Sequence, residues 1–579
     1  MTMLTKWGAA LDRSCPLPEY PRPQLRRESF YNLNGVWDYA VTPSGDEPGV
    51  WDGEIVVPFS PEAPLSGAAR GPAKDEYLHY RRGFTLPEGF QKSRVLLHFG
   101  AVDQIAEVFV NGVSAAKHSG GYWPFSADIT SLLHEGENIL RVTVRDNADD
   151  PTFACGKQRY KRGGMWYTAQ SGIWQTVWLE SVPEVYVKSL RITPEFDEAR
   201  VRIELETALE SSAAITCDVR AADGSFVAGS WAKGGVCVVP LPGFRAWTPD
   251  DPYLYTLDIT CGEDRVESYF AMRKFSYVEL GGRKVFGLNN APLFHNGLLD
   301  QGYYPDGLLT PPSDEAMVND IETMKRCGFN MLRKHIKIEP LRWYYHCDRL
   351  GMIVWQDMVS GGQPYSFLHV SALPTLGKVD LPDQDAKPYG RSGVLSRARF
   401  RREMADTVRL LYNCPCLALW TVFNEGWGQF DALDMANELK KLDPTRFIDH
   451  ASGWQDQGYE EMKSRHIYFR PVKLKNDGRA LALTEYGGYI LAVDGHRWTD
   501  KVFGYRICRN SAALAHDYEK LMLGQVLPHI RKEGLTAAVY TQITDVEEEL
   551  NGLMTYDREV LKIPEETLRE INAALRFDA

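Results

Sequence analysis

The stretch Leu417-Ala-Leu-Trp-Thr-Val-Phe-Asn-Glu-Gly-Trp-Gly-Gln429 decides how the chain is read. An apolar run of strand length, 417–423, stops on Asn424-Glu425, and glycine follows at once. A helical pattern precedes it over 392–412 and another follows over 431–441. The same alternation extends in both directions. Ser313 can cap a helix with Asp314 and Glu315 in its first turn, and Gly328 can end it. Strands are expected at 292–298, 329–333, 352–356, 417–423, 447–451, 466–469, 480–484 and 536–542. Further helical patterns cover 340–350, 514–532 and 564–576; the link from 451 to 466 is short and poorly helical. Eight strands alternating with helices close a (β/α)8 TIM barrel.

Before about residue 310 the period is two instead. Leu140, Val142 and Val144 alternate with Arg141, Thr143 and Arg145, and Val201, Ile203 and Leu205 alternate with Arg202, Glu204 and Glu206. Asn111-Gly112 closes a hairpin, since both residues tolerate positive φ. This half is read as antiparallel sandwiches. Breaks near Val182-Pro183 and Gly281-Gly282 give three expected domains: a jelly-roll β-sandwich over 1–182, an immunoglobulin-like β-sandwich over 183–280 and the catalytic barrel over 281–579.

Composition narrows the function. Of 579 residues, 44% are hydrophobic and 25% charged, an ordinary globular balance, and the net charge of −12 disfavours nucleic acid or an anionic membrane as partner. No apolar run reaches membrane-span length, and the first residues lack a basic-then-apolar signal pattern. The ten cysteines include no CxxC pair, so a reducing cytoplasm is the expected location. With 13 histidines and no HxH or HExxH, no metal is expected, and the P-loop, GxSxG and dinucleotide patterns are missing, so no cofactor is expected either.

In such a barrel the active site lies at the C-terminal ends of the strands. Those ends carry Arg333-Lys-His335, Trp355-Gln-Asp357, Asn424-Glu425-Gly-Trp427, Asp449-His450, His466 with Tyr468, and Thr484-Glu485. Glu425 and Glu485 stand out: each follows an apolar strand directly, and each has glycine within two residues. For one strand-end glutamate a solvated or ion-paired role is the default. Two of them, on strands across one barrel mouth, fit glycosidic cleavage, which needs a protonated acid and an ionised nucleophile. The two should titrate apart, the acid high and the nucleophile low. Arg333 is a candidate to hold the nucleophile ionised, and Asn424 to bind a sugar hydroxyl. His335, Asp357, His450 and Tyr468 are candidates for orienting groups, and Trp355, Trp427 and Trp454 for the face on which a sugar stacks.

Further stretches carry a resemblance. Asn32-Leu-Asn-Gly-Val-Trp37, Tyr80-Arg-Arg-Gly-Phe84, Val108-Phe-Val-Asn-Gly112 and Ser171-Gly-Ile-Trp174 resemble the N-terminal jelly-roll of glycoside hydrolase family 2. Trp247–Tyr255 resembles the end of its immunoglobulin-like domain, and the strand-end motifs above resemble those of its barrel. The resemblance implies a retaining exo-β-glycosidase acting on a small carbohydrate or glycoside, with Glu425 as acid/base, Glu485 as nucleophile, Asn424 at the sugar 2-hydroxyl and Tyr468 on the nucleophile. By family frequency a β-galactosidase comes first and a β-glucosidase next. Glucuronidases of the family carry Asn-x-Lys after the nucleophile; none of Asn510, Asn551 and Asn572 is followed two places on by Lys, so a glucuronidase is less expected. The rival from another class is a non-catalytic carbohydrate-binding protein. Homo-oligomerisation stays open.

Overall fold

A computed structural model describes residues 3–209, 214–375 and 380–578. Two sandwiches precede the barrel. In the first, a four-stranded sheet (31–32, 177–182, 94–99 and 125–128) faces a six-stranded one (53–57, 35–42, 77–84, 138–145, 105–110 and 113–119). Trp37, Tyr80, Leu97, Val142 and Leu179 fill the space between them. Asn111 and Gly112 both take positive φ (52° and 80°), as that hairpin turn requires. In the second sandwich, strands Val187–Glu195, Arg200–Thr207 and Val236–Pro240 pack on a four-stranded sheet (226–232, 215–220, 255–261 and 264–270). Trp247 from this region is fully buried in the barrel core and donates its indole N–H to the Asp348 carbonyl at 2.8 Å.

The barrel strands are β1 (His295–Asp300), β2 (Met331–Lys334), β3 (Ile353–Asp357), β4 (Leu417–Thr421), β5 (Phe447–Asp449), β6 (Met462–Ile467), β7 (Ala480–Gly487) and β8 (Leu535–Thr541). The parallel ladder runs β5-β4-β3-β2-β1-β8-β7-β6. The seam between β5 and β6 is closed by side chains. Ser464 Oγ donates to Asp449 Oδ1 at 2.9 Å, and the Ile448 N–H donates to Glu461 Oε2 at 3.2 Å.

Helices follow β1 (Asp314–Arg326), β2 (Leu341–Leu350), β3 (Val394–Leu411), β4 (Ala432–Leu442), β7 (Ser511–Leu521, then Leu527–Glu533) and β8 (Glu565–Ala573). Ser313 caps the first, its hydroxyl accepting the Ala316 N–H. Among the described residues no helix follows β5 or β6, where irregular backbone makes the return. The hairpin 275–288 plugs the N-terminal end of the barrel, with Phe286 stacked on Phe447 at 4.2 Å and edge-on to Trp355 at 5.9 Å. The C-terminal end is thereby the open one. No helix among the described residues is long and apolar enough to cross a membrane.

Candidate active site

Two local distortions aim the glutamates. After β4, Asn424 to Trp427 form a tight turn closed by the Trp427 N–H on the Asn424 carbonyl at 3.0 Å. Its central residues, Glu425 (φ 54°) and Gly426 (φ 72°), both lie in the left-handed region. This turn form favours glycine; a glutamate there is strained and is held by its N–H bond to the Ser452 carbonyl at 2.9 Å. On β7 the register slips against β8 between Leu483 and Tyr486, so Thr484 and Glu485 bulge opposite one residue. The bulge turns Glu485 into the mouth. Gly487 and Gly488 follow, where a Cβ would lie 2.2 Å from the Tyr540 ring and 2.3 Å from the Tyr505 ring.

His466 stands between the two carboxylates. Its Nδ1 is 2.8 Å from Glu425 Oε1 and its Nε2 is 3.6 Å from Glu485 Oε1. One oxygen of each glutamate and one ring nitrogen lie within 4.8 Å of one another. Below them Arg333, fully buried, spreads its guanidinium over five partners, one of them His466 Nε2 at 3.5 Å. It makes a fork to Asp357 (2.9 and 3.0 Å) and single bonds to Glu485 Oε1 (3.1 Å), the Thr484 carbonyl (3.0 Å) and Asn424 Oδ1 (2.8 Å). His335 Nδ1 meets the same Asp357 at 2.7 Å. The Tyr468 hydroxyl donates to Glu485 Oε2 at 2.5 Å, and its ring stacks on Tyr505 at 3.8 Å. The spacing of the Glu425-His466-Glu485 trio would admit a cation, but a guanidinium and a phenol already occupy both oxygens of Glu485.

The electrostatics separate the two acids. Burial pushes Glu425 up to about 7, against the pull of Lys157 and Arg333 and with a further push from Glu549. Burial also holds His466 down to about 4, hence neutral at pH 7. His466 Nε2 lies 3.2 Å from Ser452 Oγ and 3.5 Å from Arg333 Nη1, while Nδ1 faces Glu425 Oε1 at 2.8 Å. Glu485 is also raised by burial and by the Glu425 charge, contrary to the expectation that it stays low. The Arg333 guanidinium and the Tyr468 hydroxyl pull it back. Of the pair, Glu485 has the positive contact and the phenol donor, so the first carboxylate to ionise is Glu485.

Of the residues singled out in the sequence, Glu425, Glu485, Asn424, Arg333, His335, Asp357 and Tyr468 converge. Trp355 does not: it is fully buried one layer deeper, its indole N–H on His295 Nδ1 at 3.1 Å, so it is core and no sugar face. His450 does not either. Its Nε2 faces Asp456 at 3.2 Å and accepts the Gln457 N–H at 3.0 Å, tying the return after β5. Trp427 is buried, edge-on to Trp166 at 5.0 Å, in the wall between jelly-roll and barrel. Trp454 is the half-buried one, its indole N–H on the Glu425 carbonyl at 2.9 Å and its ring edge-on to His466. Sequence reasoning left His466 outside the site set, although its spacing of two from Tyr468 puts both on one face of a strand. It also missed Tyr505, Glu549 and the jelly-roll residue Lys157, which no strand-end rule reaches.

Comparison with known proteins agrees along the chain. Residues 64–183 match the family model described as "Glycosyl hydrolases family 2, sugar binding domain", 185–273 match "Glycosyl hydrolases family 2", and 311–473 match "Glycosyl hydrolases family 2, TIM barrel domain". The chain belongs to glycosyl hydrolase family 2. A β-galactosidase of Halalkalibacterium halodurans is 23% identical over 502 residues, 78% of this chain and 45% of that relative. A β-glucuronidase of Paenibacillus borealis is 22% identical over 536 residues, 82% of this chain and 85% of that relative. This family 2 chain spans less than half the length of several curated relatives it matches. A solved β-glucuronidase from an uncultured Clostridium shares the fold, with TM-score 0.74 and 19% identity over 95% of this chain and 99% of that one.

Proposed function

We propose that the protein is a retaining β-glycosidase that removes a terminal sugar by double displacement. The observation that carries this is the pair Glu425 and Glu485, with carboxylate oxygens within 4.8 Å of each other. Retaining pairs stand about 5–5.5 Å apart, and inverting pairs need about 6.5–9.5 Å to admit a water. Glu485, held by Arg333 and Tyr468, attacks the anomeric carbon. Glu425, which keeps its proton up to about pH 7, gives it to the leaving oxygen. The bond to the leaving group breaks as the ester to Glu485 forms. Glu425, now ionised, takes a proton from water, and the water displaces Glu485. Asn424, fixed by Arg333, is placed for the hydroxyl beside the reacting carbon. Trp454 is the aromatic face at the acid.

The test is Glu485→Ala on a panel of nitrophenyl β-glycosides. Hydrolysis should vanish; survival at near wild-type rate refutes the role. In Glu485→Gly, azide should restore turnover and give a glycosyl azide of inverted configuration. Sugar binding without turnover by the wild type would favour a non-catalytic carbohydrate-binding protein instead. Relatives are named β-galactosidase and β-glucuronidase, and their sugars differ in configuration at C4 and, at C6, by a hydroxymethyl group or a carboxylate. The choice at this site therefore turns on the partner offered to the 4-hydroxyl and on the charge beside C6.

A further inference from the structure

The jelly-roll reaches into the barrel mouth through the segment 154–168, and it is fastened on two sides. At the exit of β3, the Cys155 and Gly156 N–H groups both donate to the Ser360 carbonyl (3.1 and 3.0 Å), and Ala154 bridges Gly361. Beyond β8, the Thr168 N–H donates to Glu547 Oε1 (2.8 Å), the Gly164 N–H to Glu548 Oε2 (2.9 Å) and the Tyr167 hydroxyl to Glu549 Oε2 (2.5 Å). Gly156 has φ 60°, and a Cβ there would lie 3.1 Å from the Ile336 carbonyl, so the chain passes directly against the residue after His335. The next residue is Lys157.

Lys157 is half-buried, and among the described residues its ammonium has no hydrogen bond and no ion pair. Arg333, Lys334, Lys337 and Arg159 are engaged. Arg333 is spent on Asp357, Glu485, Thr484 and Asn424; Lys334 and Lys337 share Glu339; Arg159 faces Asp149 at 3.7 Å and lies over Trp166. The charge of Lys157 acts on both Glu425 and His335. Beside the carboxylates of the mouth, Lys157 thus presents an ammonium with no partner among the described residues, on the side of His335.

We propose that Lys157 is a specificity residue, supplied by the jelly-roll, that pairs with an anionic substituent of the sugar, so that the preferred substrates are β-glycosides of acidic sugars. This rests on the β-glycosidase reading above. The chemistry recognised is an anionic oxygen on the sugar ring, whether the carboxylate of a uronic acid or a sulfate ester. Lysine is suited to it as a compact point charge with three donors. The Asn-x-Lys that reads a carboxylate in glucuronidases of the family is missing after Glu485, and Lys157 would do that work from the other end of the chain.

The test compares kcat/KM on nitrophenyl β-glucuronide, β-galacturonide, sulfated β-galactoside and neutral β-galactoside and β-glucoside. The wild type should prefer an acidic sugar, with KM rising with salt. Which acidic sugar wins separates carboxylate from sulfate. Lys157→Met should lower the acidic-to-neutral ratio about tenfold to a hundredfold, the scale of a charge-assisted hydrogen bond, and Lys157→Arg should recover part of it. A wild-type preference for neutral sugars, or an unchanged ratio in Lys157→Met, overturns the proposal and leaves the reaction standing. Equal losses on all sugars, with the alkaline limb of the pH profile moved upward, would make Lys157 only a counter-charge to Glu425 and also overturn it. If the wild type hydrolyses none of them, the reaction itself fails. Calorimetric binding of glucuronate against glucose, to the wild type and to Lys157→Met, then decides the anion site by itself. Salt-sensitive glucuronate binding lost in the variant supports it, and equal binding refutes it.

Discussion

Removing the Tyr468 hydroxyl isolates one hydrogen bond on the nucleophile. The hydroxyl is 2.5 Å from Glu485 Oε2 and 3.0 Å from Thr541 Oγ1, while the ring is held by its stack on Tyr505, with planes 14° apart. In Tyr468→Phe the stack stays and the carboxylate loses a donor. A hydrogen bond to a charged group contributes about 1.5–3 kcal/mol, and the Arg333 contact remains, so the low end applies: about 1.5 kcal/mol, or roughly one pH unit on the ionisation of Glu485. The sign follows from what the bond favours. It stabilises the carboxylate, so its loss raises the pKa. Glu485 must be ionised to attack, so the acid limb of kcat/KM moves about one unit to higher pH. The alkaline limb belongs to Glu425, near 7, and stays. As Glu485 regains its charge in the second half-reaction, that step slows by about tenfold and the glycosyl-enzyme accumulates. The assay is the pH–rate profile on a nitrophenyl β-glycoside, with a pre-steady-state burst at the plateau. An acid limb that does not move refutes the reasoning, because Tyr468 would then not act on the ionised form.

Three further outcomes are expected. Glu425→Gln keeps the side-chain shape but carries no acidic proton, so the alkaline limb disappears. kcat/KM on poor leaving groups should fall about 10²–10⁴-fold, with far less loss on dinitrophenyl glycosides, as initial rates on both classes will read. Glu549→Gln removes a negative charge that raises Glu425, so the alkaline limb moves to lower pH, on the order of half a unit for one partly screened charge; the pH–rate profile reads this directly. Gly487→Ala puts a Cβ 2.2 Å from Tyr540 at φ 83°, and denaturant unfolding should show a loss of about 2–4 kcal/mol from strain and overpacking together.

The barrel was legible because its strands are apolar runs stopped by polar residues, and every strand expected from them overlaps a strand of the structure. The helices expected between strands were legible for the same reason, through caps such as Ser313. The return from β6 to β7 was less so: 468–479 lacks a helix, and nothing in strand periodicity reports what fills a connection. Depth was the harder quantity. Trp355 and Asp357 are two apart on β3 and both point inward, yet Asp357 meets Arg333 and His335 at the mouth while Trp355 meets His295 and Phe286 below. A period of two tells inside from outside, not one layer from the next. Lys157 lay beyond reach for another reason. Its neighbours at the site come from a different domain, and only the folded loop, held by Ser360 and Glu549, brings it there.

In the proposed reaction identical side chains do opposite jobs because of what touches them. Glu425 and Glu485 are both buried carboxyls, and burial alone would keep both protonated. Glu485 is met by a guanidinium and a phenol, each of which favours its ionised form. Glu425 is met by His466, which burial keeps neutral, so no positive contact draws its proton away. The pair is also coupled through one ring: His466 Nδ1 is 2.8 Å from Glu425 Oε1 and Nε2 is 3.6 Å from Glu485 Oε1, and the charge of Glu425 itself raises Glu485, so the state of one carboxyl is felt by the other.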